Sequence, residues 1–426
     1  MSLTELYQIF RQSEGVYTDT RSPRKNGLFF ALKGPHFNGN QYALNALEKG
    51  AIAAVVDDPK VAEKDLRCHL VEDCLQTLQK LANLHRRTLS PIVIGLTGSN
   101  GKTTSKELIN AVLSQKFITA ATSGNLNNHI GVPLTLLDLT EACEIAIVEM
   151  GANHQGEIRE LASIAEPDMG YITNFGYAHI EGFGSLEGVV QGKSELYSHL
   201  KNKKGKILIH GDDPKQQELM ENYPHLSFGT QASHDFVMEY ITLPKKPIRV
   251  ICQGTTFQSQ LHGNYNCANL GVAIAFGMFF EVPMEKIAQG IQQYIPSNQR
   301  SEWKEIRGNR VFLDAYNANP SSMRAAIDSF STHYPQGILI LGDMYELGDI
   351  SEEAHQQIAE LALNSGAKQV VLTGEHFSRV NLKHSRLYFC STTSEVREFW
   401  SHQNWQNETI LIKGSRGMTL EKILTD

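Results

Sequence analysis

Apolar residues along the chain gather in short runs separated by polar and glycine-rich stretches. Leu28–Leu32 and Ala51–Val56, punctuated by Gly27, Gly34 and Asp57-Asp58-Pro59, predict two buried strands. Leu75, Leu78, Leu81 and Leu84 recur at every third position and predict a helix that ends before Ser90-Pro91. Together these elements make a small α/β unit over residues 1–85. Next, Ile92–Leu96, Ile145–Val148 and Tyr171-Ile172 alternate with helical stretches, the pattern of a parallel sheet. Residues 205–262 alternate more like antiparallel strands, at Lys206–His210, Arg249–Gln253 and Phe257–Leu261, and Gly263–Phe280 reads as a long buried helix. A third block, 299–426, returns to alternation with strands at Val311–Leu313, Ile338–Leu341, Val370–Leu372 and Ile410–Ile412. The expected fold is thus α/β in three domains, 1–85, 86–298 and 299–426, the second with an antiparallel portion and the third Rossmann-like.

Composition narrows this picture. At about 150 residues per domain, 426 residues agree with three. Apolar residues at 41% and charged residues at 20% exclude wholesale disorder, and no repeat of solenoid length is present. A net charge of −7 argues against a nonspecific nucleic-acid binder, so an anionic ligand must be held locally. The six cysteines form no C-x-x-C, which argues against a zinc knuckle or disulfide framework and suits a reducing compartment. Leu270–Phe280, the longest near-apolar run, is short of the roughly 20 residues that span a bilayer, and the N-terminus lacks the pattern of a signal peptide. A soluble, cytoplasmic protein is expected.

The strongest local signal is Thr97-Gly98-Ser99-Asn100-Gly101-Lys102-Thr103-Thr104, with a predicted strand leading in and a helix leading out. Glycines let backbone N–H groups close around phosphate oxygens, and a helix N-terminus adds partial positive charge. Lys102 would reach the terminal phosphates and the Thr103 hydroxyl would ligate Mg²⁺. The segment departs from G-x-x-x-x-G-K-[ST], because Leu96 stands five residues before Gly101. The plain alternative is a glycine-rich turn with a solvated lysine. Glu149, at the end of a buried strand, suits a Mg²⁺ ligand or a turn acid equally. His179 lies just past another strand, where a lone histidine is more often structural, and Lys193 reads by composition as a surface lysine. Asp314, Asp343, Thr373 and Lys413 follow strands of the third block, where ligands gather in open α/β sheets.

Thr97–Thr104 resembles the variant phosphate loop of the Mur ligases, the ATP-dependent amide ligases of peptidoglycan precursor synthesis, and the resemblance runs over nearly the whole chain. Asp19-Thr20-Arg21, Leu28–Gly34 and Phe37–Asn40 resemble the family's uridine-nucleotide domain, although Asn38-Gly39-Asn40 stands where the family has Asp-Gly-His. Asn125–Pro133, Glu149-Met150-Gly151, Asn174 to Ser185 and Gly263–Asn269 resemble the central domain. Asn298–Ser301, Asp314–Pro320, Leu341–Gly348 and Lys413–Gly417 resemble the subtype that adds D-alanyl-D-alanine to UDP-N-acetylmuramoyl-tripeptide. The D-N-P-R motif of the subtype adding a diamino acid is missing.

The resemblance implies an acyl-phosphate mechanism with ATP and two Mg²⁺ ions, no nucleic acid and a monomeric enzyme. It implies ATP contacts at Thr97, Gly98, Ser99, Asn100, Gly101, Lys102, Thr103, Thr104, Asn266, Asn269, Arg300, Asp314 and Asn317. It gives Thr103, Glu149, His179 and a carbamylated Lys193 as metal ligands, and Lys102, Lys193, His179, Glu149 and Arg300 as the catalytic set. Thr20, Arg21, Lys33, Asn125, Asn128, Ser185, Asn319, Asp343, Lys413 and Ser415 would contact the other substrates, with helix caps and strand-end turns as the plain alternative in the third block. Three rivals are a GTPase, a folylpolyglutamate-type ligase and a silent nucleotide-binding module. The GTPase lacks its N-K-x-D, since Asn202-Lys203-Lys204-Gly205 has no aspartate.

Overall fold

A computed structural model describes residues 1–297 and 299–424. Asn298, part of the Asn298–Ser301 motif, lies outside the described residues. The first block forms a parallel four-stranded sheet in the order Val16–Tyr17, Leu28–Phe30, Ala53–Val56, Cys68–Leu70. The apolar run from Leu28 ends its strand at Phe30, because Lys33–Gly34 turns away to pair with Phe37–Asn38. The leucine-rich helix spans Cys74–Leu89, starts on the Asp73 carboxylate and stops at Ser90 in the left-handed region ahead of Pro91.

Seven parallel strands form the central sheet: Phe236–Val237, Leu226–Gly229, Lys206–His210, Met169–Ile172, Ile92–Thr97, Ile145–Glu149, Thr119–Ala121. The expectation of antiparallel strands across 205–262 therefore needs correction. Lys206–His210 pairs in parallel with Met169–Ile172, and only Glu239–Ile241, Arg249–Cys252 and Thr255–Gln258 form an antiparallel sheet. Alternation misleads there because Lys206, at the strand's start, is exposed while Ile207, Leu208 and Ile209 are all buried. Successive residues of the central strands point to opposite cores. Val93, Ala146 and Val148 pack with the first block, while Ile94, Ile145 and Ile147 pack under the Lys102–Leu113 and Cys267–Phe279 helices. Cys267–Phe279 shows little amphipathy because nine successive residues, Asn269 to Gly277, are buried.

The third sheet runs Glu302–Ile306, Asn309–Asp314, Thr409–Lys413, Ile338–Gly342, Gln369–Thr373, Leu387–Cys390, antiparallel only at its first pair. Leu339 and Leu341 face one core, Ile338 and Ile340 the other. In the central sheet the strand order reverses about Ile92–Thr97, whose neighbours are reached in opposite directions. That crevice, at the carboxyl ends, is where open α/β sheets bind ligands.

Arg86 ties the first block's long helix to the central sheet. Its guanidinium is buried and donates to the Ala165 and Glu166 carbonyls (3.1 and 2.9 Å) and to the Asp168 carboxylate (2.8 Å). Arg86→Ala strands those acceptors and is expected to cost about 2 kcal/mol, read as a lower midpoint in thermal unfolding, whereas an exposed control such as Lys80→Ala shifts it little.

Candidate active site

One cavity of about 860 Å³ lies where the carboxyl ends of the central and third sheets meet. Its floor is the turn after Ile92–Thr97. Gly98 adopts φ +143° and Gly101 φ +80°, and a Cβ on Gly98 would fall 1.9 Å from Thr173 Oγ1, on Gly101 2.6 Å from Asn269 Oδ1. Only glycine fits either position. The rest of the turn is fixed by its neighbours. Ser99 Oγ donates to the Gly176 carbonyl (3.0 Å) and accepts from the Gly176 N–H (2.9 Å), the Asn100 N–H donates to Asn174 Oδ1 (3.0 Å), and Thr173 Oγ1 donates to the Asn100 carbonyl (2.6 Å). No side chain caps the Lys102–Leu113 helix, so its first N–H groups face the cavity free to meet an anion.

Lys102 curls back onto the loop, donating to the Gly98 and Ser99 carbonyls (2.7 and 3.2 Å). Desolvation pushes its pKa down to about 8, against the pull of Glu149 and with some repulsion from Arg300. Glu149 ends its strand almost fully buried. Its Oε1 accepts from Asn127 Nδ2 (2.8 Å), while Oε2 is buried with no hydrogen-bond partner. A buried carboxylate oxygen without a partner, in a cavity also lined by Thr103, suits a divalent cation with hard oxygen ligands.

The opposite wall comes from the third block. Arg300 lays its guanidinium 3.7 Å from the Tyr316 ring centroid, with a buried Nε that has no hydrogen-bond partner. Lys413 Nζ donates to Asp314 Oδ2 (2.6 Å) and to the Asn317 carbonyl (3.1 Å). Asn269 accepts from Ser105 Oγ (2.9 Å) and donates to Asn266 Oδ1 (2.9 Å), placing both amides along the cavity beside the loop. The bonds that bridge the blocks include Asn319 Nδ2 to Asn100 Oδ1 (2.8 Å), the Tyr177 N–H to Ser321 Oγ (3.0 Å) and Tyr265 Oη with Ser301 Oγ (3.1 Å).

The residues singled out from sequence divide clearly. Ser99, Asn100, Gly101, Lys102, Thr103, Thr104, Asn125, Asn128, Glu149, His179, Asn266, Asn269, Arg300, Asp314, Asn317 and Lys413 line the cavity. Thr97 and Gly98 lie behind the loop; Thr97 is buried, with its hydroxyl unpartnered. Thr20, Arg21 and Lys33 sit away in the first block, where Arg21 pairs with Asp19 (2.7 Å) and Lys33 with Asp57 (2.9 Å). Ser185 and Asn319 cap the helices Leu186–Lys203 and Pro320–His333, and Asp343 accepts from the His376 and Phe377 N–H groups (3.0 and 2.9 Å). Ser415 Oγ accepts from the Tyr345 N–H (3.0 Å).

Lys193 is no surface lysine. It is fully buried, donates to the Ala152 carbonyl (3.0 Å) and sits 5.0 Å from the Phe183 ring centroid. Burial first, then Lys102, holds its pKa well below the usual lysine value, with Glu157 and Glu195 opposing. Residues that sequence reasoning did not assign include Asn127, Tyr316 and Glu346, each inside a noted motif yet of a type whose role only the packing reveals. The Glu346 carboxylate lies against His179 Nδ1, a contact that holds the Glu346 carboxyl below its usual range.

Comparison with known proteins agrees with this geometry. Residues 96–277 match the Mur ligase middle domain and residues 299–416 the Mur ligase, glutamate ligase domain. The UDP-N-acetylmuramoyl-tripeptide–D-alanyl-D-alanine ligase of Bacillus subtilis is 36% identical, over 97% of this chain and 92% of its own length. That of Escherichia coli is 34% identical, over 96% and 93%. Crystal structures of MurF from Acinetobacter baumannii (TM-score 0.88, 29% identity, 100% of this chain and 98% of that one) and of Thermotoga maritima MurF in complex with ADP (0.85, 26%, 98% and 97%) share the fold.

The depressed Lys102 predicts proton uptake on nucleotide binding. Near pH 8 about half of the Lys102 amines are uncharged, and a phosphate restores the charge, so ADP should draw in about half a proton per site. Calorimetry in buffers of differing ionisation enthalpy reads this directly. The uptake should fade about two pH units lower and vanish in Lys102→Met; buffer-independent heats at pH 8 would contradict it.

Proposed function

The chain belongs to the Mur ligase family, and on that premise we propose that it joins D-alanyl-D-alanine to UDP-N-acetylmuramoyl-tripeptide at the expense of ATP. The observation that carries the reading is the cavity itself, in which a phosphate loop on one sheet faces Arg300, Asp314 and Lys413 at the edge of another. We assign residues 86–298 to ATP, 1–85 to the uridine nucleotide and 299–426 to the incoming dipeptide. We take the enzyme to act as a monomer on small molecules rather than on nucleic acid, as the family resemblance implies. Among the described residues no helix is long and apolar enough to cross a membrane, and we place the enzyme in the cytoplasm, where ATP is supplied.

A carboxylate and the γ-phosphate of ATP repel one another, and the chain supplies the offset. The N–H groups of the loop and the helix start at Lys102 cradle the phosphates. Lys102 exchanges its two loop carbonyls for phosphate oxygens. Arg300, with a free Nε, steadies charge as the phosphoryl group moves, in the manner of an arginine finger. Asn266, Asn269, Asp314 and Asn317 hold the nucleoside side. The carboxylate oxygen attacks phosphorus and ADP leaves. The dipeptide amine then attacks the acyl phosphate, forming the amide and releasing phosphate.

Thr103 and the free Oε2 of Glu149 would hold one Mg²⁺; a second would fall to His179 on the cavity wall together with Lys193, which lies outside the lining and reaches it through the Ala152 carbonyl. Bound Mg²⁺ offsets charge on the phosphates. As an ammonium Lys193 cannot ligate. Its uncharged amine, favoured by burial, takes up CO₂ to give a carbamate and a proton, and the carbamate is an oxygen ligand.

Phosphate release should require ATP and both acceptor substrates, and fall at least about 100-fold in Lys102→Ala. Release driven equally well by GTP, by a folate or by neither substrate would overturn the reading. Native mass spectrometry with labelled bicarbonate should find one CO₂ on Lys193; active enzyme with an unmodified Lys193, or a fully active Lys193→Ala, would refute the carbamate.

A further inference from the structure

Glu346 stands outside the catalytic set, yet the third block is built to deliver it. Three successive backbone groups pin its loop. The Asp343 N–H donates to the Thr373 carbonyl (3.1 Å), the Met344 N–H to His355 Nε2 (3.0 Å) and the Tyr345 N–H to Ser415 Oγ (3.0 Å). His355 is itself fully buried, with its Nδ1 on the Ser351 carbonyl (2.6 Å), so Nε2 is left as the acceptor that Met344 needs. The Asp343 carboxylate meanwhile accepts the His376 and Phe377 N–H groups (3.0 and 2.9 Å). Beyond this anchorage an exposed loop tip, Tyr345-Glu346, reaches across to the central block.

At the tip, two non-glycine residues take left-handed backbone: Glu346 at φ +61° and His179 at φ +55°. Such conformations cost free energy and persist where surrounding contacts impose them. Here they face each other. The Glu346 carboxylate meets His179 Nδ1, and the Glu346 carbonyl accepts from the Glu181 N–H (3.2 Å). Both residues line the cavity.

We propose that Glu346 is a positioning residue, reaching from the third domain to fix the His179 ring and its tautomer so that Nε2 carries the lone pair for a divalent cation. A carboxylate on one imidazole nitrogen keeps the proton there and raises the basicity of the other nitrogen. Because Glu346 belongs to the block that also carries Arg300 and Lys413, the histidine is set for metal only when that block is docked. Docking of the third domain and completion of the second metal site are then one event. This rests on the assignment of His179 as a metal ligand, and the test separates the two.

The probe is Mn²⁺, titrated into the full-length protein with ADP and followed by electron paramagnetic resonance, alongside the Mg²⁺ dependence of turnover. Glu346→Ala should weaken Mn²⁺ uptake and raise the Mg²⁺ requirement about 10- to 100-fold, with KM for ATP within about twofold of the parent. Glu346→Gln, which keeps an oxygen acceptor, should recover most of the loss. In a His179→Ala background, adding Glu346→Ala should change nothing further, because the two act as one unit. Parental Mn²⁺ uptake in Glu346→Ala, or a loss that adds in full to that of His179→Ala, overturns the proposal and leaves Glu346 a simple interdomain contact. If His179→Ala itself binds Mn²⁺ like the parent, the metal assignment falls and this inference with it. If only Glu346→Ala does, the metal assignment stands and the inference alone fails.

Discussion

A carboxylate and a terminal phosphate carry like charge, and joining them requires a place where that repulsion is offset before the atoms meet. Most of this structure is shaped by that requirement. Fixed donors do the work best when they need no reorganisation, and the turn from Gly98 to Lys102 is fixed on every side, by Thr173, Asn174, Gly176 and Asn269. The net charge of −7 leaves no general attraction for anions. The compensation is therefore local, in helix N–H groups, Lys102, Arg300 and the seat that Thr103 and Glu149 offer a cation.

The same requirement divides the labour between sheets. Had all donors come from one sheet, the crevice would stand open to water on its far side. Instead the carboxyl ends of the parallel central sheet and the mainly parallel third sheet face each other, and the bridges Asn100–Asn319, Tyr177–Ser321 and His179–Glu346 join them at the cavity. Those bridges are polar, the kind of interface across which domains move. The first block is different. Its core is continuous with one face of the central sheet, and the buried Arg86 fastens it there.

How much of this is legible in the sequence depends on whether the signal is local. The phosphate turn is readable because its glycines, lysine and threonines are contiguous and its flanking strand and helix have strong patterns. The strands of the third sheet are equally plain as buried apolar runs. Strand direction is not: Lys206–His210 alternates at its ends but is paired in parallel, since pairing is decided by distant partners. Polar residues in the third block are the most ambiguous. Asn319, Asp343 and Ser415 stand in distinctive motifs, and the structure uses their side chains on N–H groups of their own block, with Asn319 also reaching Asn100. Lys193 passes for a surface residue because nothing in its neighbours Gly192 and Ser194 announces that the helix turns it inward under Phe183. Glu346 stands inside the Leu341–Gly348 motif, but its role is not legible there, since its partner lies in another block.

The central claim is that this cavity activates a carboxylate by phosphorylating it before an amide is made, and the fate of one oxygen atom tests that claim most directly. With UDP-N-acetylmuramoyl-tripeptide carrying a heavy-oxygen label in its terminal carboxylate, one labelled oxygen should leave in the inorganic phosphate released with each amide formed, and the other should remain in the product. Phosphate free of label, with both labelled oxygens absent from it under turnover with D-alanyl-D-alanine, would contradict an acyl phosphate and require a different account of the site.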